Sequence, residues 1–234
     1  SPAGDLMEFD AWEPAYEAVL SAFGYERAGD ERARDSLATL LPESVGSPPQ
    51  FDGEAPTVAV AGGADRLVDD LAVARRADVV FAASNAATRL REHGVDVDCM
   101  VTDLDKRPDT ARALSAEGTP VVVHAHGDNA ATLRAVVPEL RSEAVVPTTQ
   151  ARPTGVVRNY GGFTDGDRAA FLADTLGAGR LRFPGWALDD PTVGPEKKRK
   201  LDWAERLLYW LERRRDERFE LLDGRRAELS VPDW

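Results

Sequence analysis

The apolar positions follow three successive patterns. Between Asp10 and Phe23 they recur at helical spacing, with Trp12, Tyr16, Val19, Leu20 and Phe23 on one stripe, and the helical pattern resumes from Arg27 to Leu41. Pro42 stops the second helix, and VGSPPQFDGEAP (45–56) reads as a linker. Residues 7–50 are therefore expected to form a helical segment, an appendage to the rest of the chain. From Thr57 short apolar runs alternate with amphipathic stretches. The runs are 57–62, 78–84, 98–102, 119–125, 143–147, 156–160 and 180–185, and the helices between them are expected near 64–76, 86–93, 109–117, 129–137 and 165–176. Strands rich in valine on both faces and spaced by helices predict an α/β core over 55–195, a mostly parallel sheet with helices on both faces. The third pattern, 196–220, is a long helix with Trp203, Leu207, Trp210 and Leu211 on one face and the charge run RRRDERFE at its end. It predicts a C-terminal helix and tail (196–234) packed on the core with a solvated charged side.

Composition narrows the function classes. The chain has 234 residues, a formal net charge of −12 and a sequence pI near 4.8. A field of that sign repels phosphate backbones and anionic headgroups, so neither a nucleic acid nor a membrane is expected as a partner. No apolar run has the length of a membrane span. A single cysteine, Cys99, excludes an internal disulfide and a cysteine-rich zinc site, which makes the cytoplasm the expected compartment. Ser1–Leu6 precede an internal Met7 and read as a short extension. Only four lysines occur, Lys106, Lys197, Lys198 and Lys200, against an excess of acid. That balance is what a high-salt cytoplasm favours and points to a halophilic source.

Three polar clusters follow expected strands, where parallel sheets place their ligands. The first is VTDLD, with Asp103 and Asp105. Carboxylates at i and i+2 point the same way if the chain stays extended, and such a pair is a poor neighbour unless a cation lies between. Asp-x-Asp alone reads as readily as a turn. The second is HAHGDN, which holds two of the chain's three histidines, His124 and His126, with Gly127, Asp128 and Asn129. Asp128 or Asn129 suits a helix cap, but two histidines beside a carboxylate exceed what capping requires. The third is NYGGFTDGDR (159–168). Thr164 and Asp167 approximate a capping box, and Gly161-Gly162 before a helix N-terminus allow main-chain amides to approach a phosphate. Arg152, Arg158 and Arg168 are near in sequence, and Thr148-Thr149-Gln150 adds a polar stretch.

His-x-His after a strand also opens the metal site of amidohydrolases. That site needs further histidines downstream, and none follows His126. Aspartate-rich, histidine-poor chemistry suits hard Mg²⁺ better.

Taken together FDAWEPAY, VTDLD, VVVHAHGDN, TTQ, NYGGFTDGDRA and LDWAERLL resemble, in order and over nearly the whole chain from Met7, the archaeal 6-hydroxymethyl-7,8-dihydropterin pyrophosphokinases, the MptE-like family. A more distant similarity joins TDLD and GGFTD to the Gly-Asp-Phe-Asp-Ser and Gly-Gly-Arg-x-Asp-His motifs of thiamin pyrophosphokinases. Phe163 stands here in place of the arginine and Gly166 in place of the histidine, and AGGADRL (61–67) stands where a Gly-x-Gly-Pro-Ser-like loop is expected.

The resemblance implies a thiamin-pyrophosphokinase-like catalytic domain, ATP as co-substrate, a reduced pterin as acceptor and AMP as product, in folate-type or methanopterin synthesis. It implies Asp103, Asp105 and Asp128 on Mg²⁺ and His126 in the chemistry. His124, Asn129, Arg158, Gly161, Gly162 and Arg168 are expected around the nucleotide, and Asn159, Phe163, Thr164 and Asp165 around the pterin. A homodimer is implied only by the thiamin enzyme's habit. The alternatives are a pyrophosphokinase of another alcohol, such as thiamin, and a non-catalytic nucleotide-binding protein on the same fold.

Overall fold

A computed structural model describes residues 7–127 and 129–230. Two helices, α1 (Phe9–Phe23) and α2 (Arg27–Thr39), lead into six strands and six further helices: β1 (Thr57–Ala61), α3 (Leu71–Arg76), β2 (Val79–Ala83), α4 (Ala86–Glu92), β3 (Cys99–Thr102), α5 (Pro108–Glu117), β4 (Val121–Ala125), α6 (Ala130–Val136), β5 (Val145–Thr149), α7 (Asp165–Thr175), β6 (Arg180–Arg182) and α8 (Pro195–Arg215). The strands form one parallel sheet in the order β5-β4-β3-β2-β1-β6. Five strands step one way and carry α3 to α6 on one face. The chain then returns past β1, and α7 crosses on the other face, as right-handed crossovers require. The direction reverses between β1 and β6, which makes the crevice beyond their carboxyl ends the expected binding place.

Period-two alternation divides the core into two layers. Val58, Val60, Phe81, Val101, Val122 and Val146 pack under α1, α7 and α8. Ala59, Ala61, Val80, Met100, Val121 and Val123 pack under α3 to α6. The first two helices divide between these layers: Trp12, Tyr16 and Val19 of α1 join the first, and Ala33 and Leu37 of α2 join the second. The helical pair thus straddles the β5 edge of the sheet. Among the described residues no helix is long and apolar enough to cross a membrane.

The expected strand at 156–160 does not form. Arg158 makes an isolated parallel bridge to Thr148, donating its N–H to Pro147 O and accepting that of Thr149, and the chain then leaves through Gly161 and Gly162 at φ 87° and 91°. Pro147 sits inside β5 at no cost to the ladder, because its carbonyl, and so its missing N–H, face this outer side. The last helix ends at Arg215 rather than near 220, with Asp216 in the left-handed conformation. Its charge run is not wholly solvated: the Arg215 guanidinium is nearly buried between Asp174 (2.6 Å) and Glu217 (2.7 Å).

Candidate active site

The carboxyl ends of β3 and β4 hold the first two polar clusters side by side. Past Thr102 the chain does not stay extended. Leu104 turns to φ 65°, donates its N–H to Thr102 Oγ1 (2.9 Å) and buries its side chain in the core. A bulky residue at positive φ is strained, and the burial of Leu104 holds it there. Asp103 and Asp105 are brought together by this turn and not by strand alternation. Asp165, the first residue of α7, completes the group: the three carboxylates offer oxygens within 4.8 Å of one another. Asp165, expected beside the pterin, lies in the acidic trio. Asp128 lies outside the described residues.

The surroundings fix this trio electrostatically. Burial alone would raise Asp103. Hydrogen bonds from His126, whose Nε2 lies 3.1 Å from Oδ2, and from Asp105, together with the charge of Arg168, hold it well below the usual carboxylate range. Asp105 is pushed up to about 6 by partial desolvation and by the bond and charge of Asp103. Asp165 is pushed up to about 8 by burial and by Asp103, although Arg168 Nη1 donates to it at 2.7 Å. Three carboxylates this close ionise together only at a cost, which a cation among them would remove.

His124 lies on the β4 face that packs under α1 and α7, only 2% exposed, with Nδ1 3.0 Å from Thr148 Oγ1. Thr148 donates its own hydroxyl to Val123 O (3.3 Å), so Nδ1 carries the hydrogen, and among the described residues Nε2 is a buried acceptor with no donor in hydrogen-bond geometry. Burial, then Arg168 and His126, hold this imidazole neutral. Asn129 occupies the N-cap position of α6 but does not cap with its side chain. It takes the His126 N–H (3.1 Å) and gives its amide to His124 O (2.8 Å) and Asp103 O (3.2 Å), tying the β3 and β4 loops together.

The third cluster is a scaffold for α7. Asp167 accepts the N–H groups of Phe163 (2.5 Å) and Thr164 (2.9 Å) and the Thr164 hydroxyl. Asn159 accepts Gly161 N–H and donates to Ala151 O, both at 2.8 Å, so the Gly161 amide is already engaged. A Cβ on Gly162 would lie 2.6 Å from the Arg168 backbone, which is why the turn onto α7 needs glycine there. Phe163 is 7% exposed and packs against Phe23 at 5.1 Å. Arg158 is exposed at the outer edge of β5. Of the expected residues, then, Asp103, Asp105, Asp165, His126, His124, Asn129 and Arg168 converge, Thr164 reaches the adjoining cavity, and Arg158, Asn159 and Phe163 serve the loop instead.

That cavity, about 290 Å³, lies at the β1–β6 reversal. Gly62 and Gly63 after β1, Ser84 and Asn85 after β2, and Trp186 after β6 line it, and Asp105 and Asp165 stand at its wall. Gly63 lies so close to Asn85 that a Cβ would fall 2.0 Å from Asn85 Oδ1. The glycine stretch 61–67 therefore has its place here despite departing from the expected loop. Sequence reading missed Ser84, Asn85 and Trp186, which carry no motif.

One further residue ties the first helices to the site. Asp30 of α2, 3% exposed, accepts Tyr16 OH (2.6 Å), the Gln150 amide (2.8 Å) and the Gly127 N–H (2.6 Å). Its periodicity on α2 gave no sign of this.

Comparison with known proteins bears on the arrangement. Residues 49–191 match the family model of 6-hydroxymethylpterin diphosphokinase MptE-like proteins. The chain is 38% identical to a 6-hydroxymethyl-7,8-dihydropterin pyrophosphokinase of Methanothermobacter thermautotrophicus, over 92% of this chain and 99% of the relative. It is 34% identical to the protein of the same name from Pyrococcus furiosus, over 88% and 94%. It is 26% identical to that of Methanocaldococcus jannaschii, over 88% and 96%. With a matched core and relatives aligned almost end to end, the chain belongs to the 6-hydroxymethylpterin diphosphokinase MptE-like family.

Proposed function

We propose that the protein is an ATP-dependent pyrophosphokinase that moves the diphosphate of ATP onto the hydroxymethyl group of 6-hydroxymethyl-7,8-dihydropterin and releases AMP. The observation that carries this reading is the closure of Asp103, Asp105 and Asp165 to within 4.8 Å, with Asp105 and Asp165 at the wall of the cavity at the sheet's reversal. Membership of a family whose relatives bear that name supports it.

In this reaction the pterin oxygen bonds to the β-phosphorus, the β-phosphorus–oxygen bond to the α-phosphate breaks, AMP takes that oxygen, and the hydroxyl proton leaves. The protein's work is positioning and charge balance. His126 donates Nε2–H to Asp103, which leaves Nδ1 as the acceptor for the hydroxyl proton. His124, buried and neutral, holds position beside it with ring centroids 5.9 Å apart. Arg168 keeps Asp165 aligned from α7. Hard oxygen donors in a crowded trio fit Mg²⁺, which Asp103, Asp105 and Asp165 would hold. Bound there, it would neutralise charge on the transferring phosphates.

The direct test is a product assay with purified protein, ATP, Mg²⁺ and the reduced pterin. AMP and pterin diphosphate in equal amounts are expected. ADP would make it a simple kinase, AMP with thiamin alone would replace the acceptor, and nucleotide binding without turnover would make it a non-catalytic protein.

The carboxylates also set a pH dependence. Asp105 and Asp165, pushed up to about 6 and about 8, have unfolded values of about 4. In the metal-free protein their contribution to stability is full below about pH 4 and is lost as pH rises through about 8. Asp103, held low, loses its own contribution only below that window. A bound cation favours the ionised trio, so Mg²⁺ is expected to raise Tm more at about pH 8.5 than at about pH 5.5. Paired thermal melts in Mg²⁺ and in chelator measure this; equal shifts at both pH values would remove the trio as the metal site.

A further inference from the structure

The protein carries a net charge of −12 and only four lysines, yet three of the four, Lys106, Lys197 and Lys200, line the cavity beside the acidic trio. Lys106 follows Asp105 directly, and the other two come from the start of α8, some ninety residues later in the chain. Among the described residues Lys106 and Lys197 have no ion pair, although the chain is rich in carboxylates. Lys200 has only Glu196, at 3.2 Å on its own helix, an exposed contact of little worth. The fourth lysine, Lys198, points elsewhere: it lies 3.5 Å from Asp202 and does not line the cavity.

The helix itself disfavours this placement. Lys197 and Lys200 stand in the first turns of α8, where the positive end of the helix dipole repels cations. Partial desolvation, and then repulsion by Lys106, push the Lys197 ammonium down from its usual range. Like charges gathered at the wrong end of a helix are relieved by an anion bound among them. Ser84 lines the same cavity, and among the described residues its Oγ has no hydrogen-bond partner.

We propose that Lys106, Lys197 and Lys200 form a polyphosphate-binding wall, so that the start of α8 is part of the nucleotide site and not only packing. The identity of the polyphosphate as that of ATP rests on the reaction proposed above. The ammonium groups bind phosphate oxygens as point charges, and the aspartates hold the metal side of the same chain.

The test is calorimetric titration of the full chain with inorganic triphosphate, in chelator and in Mg²⁺ at one fixed salt concentration. The variants are the double substitution Lys197→Ala with Lys200→Ala, and Lys198→Ala as control. Alanine keeps the helix, and none of these side chains is core. The double variant is expected to bind triphosphate at least about tenfold more weakly, even in chelator, while Lys198→Ala binds as wild type. In turnover, KM for ATP should rise and KM for the pterin should stay. Equal binding by wild type and double variant, equal weakening by Lys198→Ala, or no binding by wild type would overturn the proposal. The two readings separate cleanly. Lysine-dependent triphosphate binding without AMP release would sink the pterin reaction and leave the wall. AMP release with undiminished ATP affinity in the double variant would sink the wall and leave the reaction.

Discussion

Replacing Asp103 by asparagine is expected to slow AMP release by about a thousandfold, roughly 4 kcal/mol of transition-state stabilisation. The substitution is nearly isosteric. Its Oδ1 can still accept from His126, and the Leu104 turn and the Asn129 bond to the Asp103 carbonyl do not depend on the carboxylate charge. What disappears is the negative charge on the member of the trio held lowest, since Asp105 and Asp165 are both pushed up. The variant should therefore fold, but without metal it should melt somewhat lower than wild type, because the ionised Asp103, held low by His126, Asp105 and Arg168, stabilises the fold. Steady-state rates across a Mg²⁺ titration, beside melts in chelator, separate the two effects. Full activity at limiting Mg²⁺ would end the metal assignment.

Asp30→Ala is expected to cost about 3–5 kcal/mol of stability, a fall in Tm of roughly 10 °C for a chain of this size. The carboxylate is the shared acceptor for Tyr16 OH, the Gln150 amide and the Gly127 N–H, and the first two are buried donors left without an acceptor. An unmet buried donor costs about 1–3 kcal/mol. The loss should not stop at stability. Gly127 begins the turn between His126 and Asn129, so the imidazole that faces Asp103 loses its rear anchor. Chemical denaturation gives the first effect. The second is read from kcat at a temperature where the variant is still folded; a wild-type kcat there would confine Asp30 to stability.

These two residues also mark how far the sequence could be read. Asp103 was visible because parallel strands announce themselves by valine runs and a ligand crevice lies at their carboxyl ends, so TDLD and HAHGDN had a place before any coordinates. The manner of convergence was not visible. It depends on Leu104 at positive φ, and a buried leucine in that conformation has no sequence signature. Asp165 carried a second plausible role, and only the turn through Gly161 and Gly162 brings it against Asp103 and Asp105. The Val-Val-Arg-Asn-Tyr run read as a strand because its composition fits one. It fails because Asn159 takes up main-chain groups and two glycines redirect the chain. Asp30 stayed hidden for a plainer reason: an acid on a polar helix is ordinarily solvated, and its three partners come from α1 and from loops far along the chain.

The straddling of the β5 edge by the first two helices has a consequence for how the chain acquires its shape. Trp12 bonds to the Gln150 carbonyl across 138 residues, and Asp30 meets Gly127 and Gln150 across 97 and 120. The segment is made before the strands it docks on, and its docking is complete only once the fifth strand has emerged. Until then α1 and α2 must persist as an amphipathic pair with Trp12 and Tyr16 uncovered. Closures of such long loops carry a high entropic cost and come late. The N-terminal pair should accordingly dock among the last events of folding, and the His126 turn should gain its anchor only then. During that interval the nascent chain presents Trp12 and Tyr16 to chaperones.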